Sequence, residues 1–132
     1  MTRSELREEI FKLLFRLEFN EPEDMEEQKR LFLEGDRELL SESDEAYISQ
    51  KYENIVAMLA RIDALLMEKA EGWNKNRMGK VELAILRQAV YEIREDDSVP
   101  AGAAINEAVE LAKKYGQENS GSFVNGVLAK FV

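Results

Sequence analysis

The side chains able to do chemistry in this chain are carboxylates, cations, hydroxyls and aromatic rings, because its 132 residues include neither cysteine nor histidine. Without a thiolate there is no cysteine nucleophile, and without an imidazole there is no histidine general base. The Cys/His ligand sets that bind zinc are excluded for the same reason. Any catalysis or metal binding would therefore have to come from carboxylates alone.

The 27 acidic residues show no spacing that marks a catalytic pair or a set of metal ligands. The glycine patterns that cradle phosphates, G-x-x-x-x-G-K-[ST] and G-x-G-x-x-G, are also absent from the sequence. We therefore predict a protein that is not an enzyme, has no catalytic residues, and takes no metal, cofactor or small-molecule substrate. These predictions favour a protein that works by binding.

The net charge of −9 argues against a nucleic-acid partner, but its distribution along the chain does not. Residues 21–54 carry 12 acids and 4 bases, whereas residues 1–20 carry four of each and residues 100–132 three of each. Contact with phosphates at either end of the chain therefore stays open. We interpret the acidic segment as a solvated surface, with a contact to a protein partner as the alternative.

The elements that must position these groups are helices. Apolar residues recur at helical spacing, and proline and glycine fall between the periodic segments. The predicted helices span residues 4–19, 23–34, 43–70, 79–95, 100–116 and 120–131. The helix at 79–95 is apolar on several sides, which is typical of a central helix.

The length fits one domain, residues 1–132, with a core of its own. No apolar run reaches the roughly 18 residues of a membrane span, and the opening MTRSELREEI lacks the apolar stretch of a signal peptide. We therefore predict a cytoplasmic protein without a membrane partner.

Three segments of the second half are specific enough to indicate a family. They are RMGKVELAILRQAVYEI (Arg77 to Ile93), VPAGAAINEAVELAKKYG (Val99 to Gly116) and ENSGSFVNGVLAKF (Glu118 to Phe131). In the same order and spacing they resemble the bacterial transcription antitermination factor NusB, whose pattern reads ILR-x-A-x-YE, then VP…INEAVELAK, then S-x-x-FVNGVL. The N-terminus is similar as well, whereas residues 20–54 fit the family only in length and helicity.

The resemblance implies an all-α fold of two three-helix bundles with a short additional helix. It also implies a function in transcription. The family binds the box A element of ribosomal RNA leader transcripts together with NusE, a small-subunit ribosomal protein. The pair joins an elongating RNA polymerase complex and helps it to read through terminators.

The residues that the resemblance implies for RNA contact come from the N-terminal arm, the first helix and the loop after the AKKYG segment. They are Arg3, Arg7, Lys113, Lys114, Tyr115, Glu118, Asn119 and Phe123. Each has a plainer alternative. The two lysines also suit the C-terminal end of a helix dipole, and aromatic residues near helix ends more often complete a core.

The arm differs from the family pattern at one place. A run of arginines is usual there, but Ser4, Glu5 and Glu9 interrupt it in this sequence. Each lost phosphate contact lowers RNA affinity and its salt dependence. We therefore predict weaker binding to RNA alone and a stronger dependence on the protein partner.

The residues implied for partner contact are Phe15 and Glu82. Phe11 and Phe15 lie off the main apolar stripe of the first helix, so each either seals the core or faces a partner, and we favour the core for Phe11. Glu82 begins the ILR helix, where an acid also suits the helix dipole without any partner. Trp73, in the neighbouring linker, is expected to anchor two bundles together.

Two alternatives to antitermination stay open. The first is the NusB-like domain that some rRNA methyltransferases carry, which we disfavour because no Gly-rich cofactor-binding segment follows the last helix. The second is a helical protein-interaction module without RNA binding, which the acidic bias permits.

Overall fold

Every regular element that the structure describes is a helix. The structure, a computed structural model, describes residues 1–35, 40–70 and 78–132. Its α helices are α1 (Arg3–Phe15), α2 (Met25–Glu34), α3 (Glu42–Ala57), α4 (Leu59–Lys69), α5 (Lys80–Glu95), α6 (Ala101–Tyr115) and α7 (Ser120–Leu128). Single 3₁₀ turns at Arg16–Glu18, Pro22–Asp24 and Ala129–Phe131 adjoin α1, α2 and α7. The predicted all-α fold is confirmed.

Proline and glycine mark helix ends where the sequence predicted them. Pro22 opens the 3₁₀ turn before α2, and Gly35 caps the end of that helix. Gly79 and Pro100 are the N-caps of α5 and α6, and Gly116 follows the last residue of α6. These ends are well predicted because proline lacks the N–H that a helix interior needs, and glycine is a weak helix former.

The first helix is shorter than predicted. The sequence indicated residues 4–19, but α1 ends at Phe15 and the chain tightens into the 3₁₀ turn Arg16–Glu18. The side-chain amide of Asn20 donates to the Arg16 carbonyl oxygen at 2.9 Å. Such turns are frequent at helix ends because they satisfy backbone groups that lack an α-helical partner.

The predicted helix over residues 43–70 is wrong as a single element. It breaks at Met58, whose φ of −107° and ψ of 10° separate α3 from α4. The apolar spacing of Ile55, Leu59 and Ile62 continues across this turn, so periodicity carries no sign of the break. The start also differs, because Ser41 rather than Ser43 accepts the Asp44 N–H, at 3.1 Å.

The chain divides into two compact units, Met1–Val56 and Ala57–Val132. In the first unit each helix contributes a buried apolar face. These residues are Leu6, Ile10, Phe11, Leu13 and Leu14 of α1, Met25 and Phe32 of α2, and Ile48, Tyr52 and Ile55 of α3. Burial of each large side chain stabilises the folded state by about 1.5–3 kcal/mol relative to leaving it exposed.

In the second unit, α5 is the central helix. Its residues 83–92 are all buried, and it contacts α4, α6 and α7. Arg87 of this helix is 3% exposed and pairs with Asp63 of α4 through Nε–Oδ1 and Nη2–Oδ2 distances of 3.0 and 2.9 Å. The two-point geometry matches guanidinium to carboxylate and lets α5 carry a charge in the core. The predicted central helix is confirmed.

Candidate functional site

The N-terminal arm, defined as residues 1–3, leads directly into α1 through a capping box. The Thr2 N–H donates to Glu5 Oε1 at 2.8 Å, and the Glu5 N–H donates to Thr2 Oγ1 at 3.1 Å. The hydrogen bond from the Thr2 backbone lowers the pKa of the Glu5 carboxyl. One acid that interrupts the arginine pattern therefore fixes the start of α1.

Arg3 is exposed and lies against α3. Its Nη1 donates to the Tyr47 hydroxyl at 3.0 Å, and its guanidinium carbon is 5.1 Å from the centre of that ring. Lys51 Nζ lies 3.4 Å from the same hydroxyl. The N-terminal ammonium of Met1 pairs with Asp44 at 3.1 Å. The arm is thus bound to α3 by polar contacts that leave Arg3 at the surface.

Arg7 differs from Arg3 although the two are four residues apart on one helix. It is 8% exposed, so most of its surface is covered by protein. A covered guanidinium presents little surface to a phosphate. The structure therefore places the predicted Arg3 where a ligand can reach it, and the predicted Arg7 mainly within the protein.

Three phenylalanines of the first unit form a row at four-residue spacing. Phe11 is 2% exposed and belongs to the core, as predicted. Phe15 is half-buried, with ring centres 6.1 Å from Phe11 and 5.0 Å from Phe19. Phe19 is 60% exposed. The row thus runs from core to solvent, and Phe19 is an exposed ring that the sequence analysis did not select.

The C-terminal end of α6 presents two cations. Lys113 and Lys114 are both exposed. Lys113 pairs with Glu110 at 3.5 Å, but both side chains are largely in solvent, so the pair is weak. Lys114 Nζ is 5.4 Å from the centre of the half-buried Tyr115 ring. The α6 end therefore brings together three of the residues predicted for RNA contact.

The α6–α7 turn, residues 116–119, and the start of α7 carry the other three. Glu118 and Asn119 are exposed, and the Asn119 carbonyl accepts the Phe123 N–H at 3.1 Å. Phe123 is 43% exposed, so it does not complete the core. A Cβ added at Gly121 would lie 3.4 Å from Lys113 Cγ, which places the start of α7 beside the end of α6.

Ser120 holds this turn and was not predicted. It is 2% exposed, and its Oγ accepts the Gln117 N–H at 2.8 Å and donates to Glu82 Oε1 at 2.5 Å. Glu82 is half-buried at the start of α5. The predicted partner residue therefore also has a partner within the chain. Since 38 residues separate Ser120 from Glu82, no local pattern could have revealed the contact.

In the described parts of the acidic segment, residues 21–35 and 40–54, the acidic side chains are exposed or half-buried, and cations lie among them. Arg30 of α2 pairs with Glu27 at 2.6 Å and with Glu34 at 2.9 Å, and Lys29 pairs with Glu53 at 2.7 Å. A groove of about 420 Å³ here is lined by Leu33 and by six charged residues, Glu26, Glu27, Lys29, Arg30, Glu34 and Glu45. This lining differs from the mostly apolar walls of small-molecule sites.

Within residues 1–35, 40–70 and 78–132, no group of three or more acidic side chains is arranged to bind a metal ion. No helix in this same part of the chain is both long and apolar enough to cross a membrane. The expected anchoring role of Trp73 concerns a residue outside the described ranges.

Comparison with known proteins gives one consistent result. The family model described as the NusB family matches residues 4–132. The transcription antitermination protein NusB of Agathobacter rectalis is 53% identical, with 99% of both chains covered. The protein of the same name from Lachnoclostridium phytofermentans is 49% identical, with 100% of this chain and 99% of the relative covered.

Solved structures give the same family likeness. T. maritima NusB superimposes with a TM-score of 0.88 at 34% identity, over 99% of this chain and 90% of the other. A chain from the crystal structure of a plectonemic RNA supercoil has a TM-score of 0.82 at 28% identity, with 98% and 92% covered. The solution structure of NusB from Aquifex aeolicus has a TM-score of 0.80 at 28% identity, with 98% and 86% covered.

Proposed function

The chain belongs to the NusB family of transcription antitermination proteins, and we propose that it binds box A RNA of ribosomal RNA leader transcripts together with NusE. The RNA-bound pair then joins the elongating RNA polymerase and lets it pass terminators in the cytoplasm. The family is a non-enzymatic, RNA-binding one, in agreement with the prediction from the missing catalytic groups. The two relatives compared above, 53% and 49% identical, share the antitermination name, which favours that function over the methyltransferase alternative.

The observation that carries the RNA proposal is the exposure of both the Phe123 ring on α7 and the two lysines at the end of α6. A large apolar ring at 43% exposure loses the stabilisation that burial would give it, unless a ligand covers it. Stacking of a base on such a ring contributes about 1–3 kcal/mol. Lys113 and Lys114 add the positive charge that the RNA backbone requires.

The other protein residues predicted to contact RNA differ in their exposure to solvent. Arg3, Glu118 and Asn119 are exposed, and Tyr115 is half-buried. A single-stranded RNA exposes its base edges, which the Asn119 amide and the Glu118 carboxylate can meet by hydrogen bonds. Arg7 is mostly covered, so we propose for it the smallest direct contribution among the cations.

The residues proposed for partner contact are Phe15 in the first unit and Glu82 in the second. Phe15 offers a half-buried ring next to the exposed Phe19. Glu82 offers a carboxylate to a basic ribosomal protein while it accepts a hydrogen bond from Ser120. Because these residues belong to Met1–Val56 and Ala57–Val132, we propose that the whole chain acts as one RNA- and protein-binding domain.

Titration of labelled box A RNA against scrambled RNA, with and without NusE and over a series of salt concentrations, tests this function. We expect a clear preference for box A when NusE is present. Because Glu5 and Glu9 interrupt the arginines of the arm, we expect weaker binding without it. Nanomolar binding to box A by the chain alone near physiological salt would contradict the predicted dependence on NusE. Equal retention of both RNAs with NusE would favour the module that binds protein only.

A further inference from the structure

A chain of two hydrogen bonds connects the start of α5 to the α6–α7 turn. The Ser120 hydroxyl has a single proton, which it donates to Glu82 Oε1 at 2.5 Å. Its lone pair accepts the Gln117 N–H at 2.8 Å. The direction of both bonds is fixed by the partners, because the Gln117 backbone N–H can only donate and the Glu82 carboxylate accepts.

Two glycines leave space for the side chains that form these hydrogen bonds. A Cβ on Gly116 would lie 2.6 Å from both Cβ and Oγ of Ser120 and 2.7 Å from the Ala112 carbonyl oxygen. A Cβ on Gly79 would collide with Oε2 of Glu82. The backbone at both ends therefore packs directly against the two side chains. The close packing at Gly116 and the hydrogen bonds of Ser120 each restrict the conformation of the α6–α7 turn.

From this geometry we propose that Glu82 is a positioning residue, which sets the conformation of the α6–α7 turn by accepting the hydrogen bond of Ser120. The proposal rests on the RNA-binding function proposed above, because Glu118 and Asn119 lie in that turn and Phe123 follows it. Glu82 itself need not touch RNA. Its effect reaches the RNA through the buried hydroxyl and the Gln117 amide.

Ser120 cannot perform this task alone. A buried hydroxyl that loses its acceptor is destabilising unless it turns to another group. Among the described residues, Glu82 is the acceptor for its proton, and Gln117 is its donor. Loss of the carboxylate would allow the Ser120 side chain to adopt other χ1 rotamers, which would move Oγ away from the Gln117 N–H. The turn would sample more conformations before RNA binds.

A double-mutant cycle in RNA binding tests the proposal. We would measure the affinity of the full chain for labelled box A RNA without NusE, at fixed salt, for Glu82→Ala, Ser120→Ala and the double variant. We expect each single variant to bind about five- to tenfold more weakly, and the double variant no more weakly than the weaker single one. Additive losses would overturn the proposal, as would single variants that bind like the original chain.

Two further variants separate the hydrogen bond from charge. Glu82→Gln removes the charge but keeps an oxygen that can accept from Ser120, so we expect affinity within about twofold of the original. Glu95→Ala removes an exposed acid from the other end of α5 and serves as the matched control, with the same small change expected. Glu82→Gln binding as weakly as Glu82→Ala would contradict a positioning role.

Amide hydrogen exchange of Gln117 gives a readout that is independent of RNA. We expect faster exchange at Gln117 in Glu82→Ala and Ser120→Ala, and unchanged exchange in Glu82→Gln and Glu95→Ala. Unchanged exchange in all four variants would overturn the proposal. If the original chain failed to prefer box A, the proposed function would fail, whereas the exchange result would still decide whether Glu82 holds the turn.

Discussion

The N-terminal arm and the α6–α7 turn both carry residues proposed to meet RNA, but different kinds of contact hold them. Arg3 of the arm rests on Tyr47 through surface contacts. The turn is held by Ser120, which is 2% exposed. Exposed polar contacts contribute about 0–1 kcal/mol, whereas leaving a buried hydrogen-bonding group unsatisfied costs about 1–3 kcal/mol. The turn is therefore preorganised, and the arm can rearrange.

Because of this difference, we expect the N-terminal arm and the α6–α7 turn to contribute differently to RNA recognition. A preorganised turn loses little conformational entropy when RNA binds, so its hydrogen bonds can discriminate between bases. A cation held by exposed contacts can exchange them for phosphate contacts, and it adds affinity without sequence preference. We expect specificity to reside mainly in the turn and salt dependence mainly in the arm and the lysines of α6.

The largest effect should come from crowding the turn. In Gly116→Ala the new Cβ would lie 2.6 Å from two Ser120 atoms, so the backbone must shift. We expect the free energy of unfolding to fall by about 1–3 kcal/mol, as overpacking usually costs. Affinity for box A should fall about tenfold, which corresponds to about 1.4 kcal/mol. Urea denaturation and RNA titration measure the two quantities.

Gly126→Ala is the control for that change. A Cβ at Gly126, an exposed position of α7, meets nothing within 4 Å. Alanine is the better helix former, so we expect a gain of about 0.5–1 kcal/mol in the free energy of unfolding. Equal losses from both substitutions would remove the claim that the turn is specially constrained.

An alkaline titration of Tyr52 tests whether α3 is packed more firmly than the N-terminal arm that contacts it. Burial raises the pKa of Tyr52 to about 12, and Glu53 and Glu26 add to this shift. Because the folded-state pKa lies above that of the unfolded chain, the neutral phenol stabilises the fold fully below pH about 10. That stability is lost as the pH rises through about 12. At pH 11 the loss should be about 1.4 kcal/mol.

Comparing the original chain with Tyr52→Phe at pH 8 and pH 11 isolates this loss. The phenylalanine variant should lack the Tyr52 component of the decline in the free energy of unfolding, since it has no phenol at that position to ionise. If the free energy of unfolding fell equally in the two proteins, the Tyr52 hydroxyl would not be firmly buried in α3. The proposed difference in packing between the N-terminal arm and α3 would then be wrong.

A smaller effect should follow from removing the exposed cation of the arm. We expect Arg3→Ala to weaken binding to box A by about two- to fivefold and to reduce the slope of affinity against salt by about 0.7. The free energy of unfolding should change by less than about 0.5 kcal/mol, because Arg3 is exposed. Arg30→Ala, in the acidic segment, is the matched control and should leave the slope unchanged. An unaltered slope in Arg3→Ala would place the arm outside the RNA interface.

The smallest effect should come from Tyr47→Phe. The ring stays, but the hydroxyl that accepts from Arg3 and lies near Lys51 is lost. We expect RNA affinity within about twofold of the original, because Arg3 only exchanges one exposed contact for another. A loss as large as that of Gly116→Ala, measured by the same RNA titration, would show that the arm is as tightly positioned as the turn.

The sequence predicts helices best where a single residue type decides the outcome. Pro100 and Gly116 bound α6 because their backbone chemistry limits helix formation locally. Met58 has no such property, and the apolar spacing continues through it, so no short window of sequence marks the break between α3 and α4. Ser41 and Ser43 are equivalent as caps by residue type, and only the backbone path selects Ser41.

The candidate site follows the same rule. Residue types select Lys113 and Lys114 as exposed groups, because helix ends lie at the surface. For Phe123 the residue type favours the core, and its exposure comes from the structure alone. The sequence does not show that Arg7 is covered, since exposure on a helix depends on what packs against it. Nor does it reveal Ser120, whose role depends on a carboxylate far away in the chain.

The two glycines beneath Glu82 and Ser120 also have an evolutionary consequence. Gly79 is small because the Glu82 carboxylate occupies the space of its missing side chain, and Gly116 is small because Ser120 does. Substitutions at the paired positions should therefore co-vary among relatives. A lineage that loses the Ser120 hydroxyl no longer needs an acceptor at position 82, and position 79 is then free to gain a side chain. The order in which these substitutions arose could then be inferred from the sequences of relatives alone.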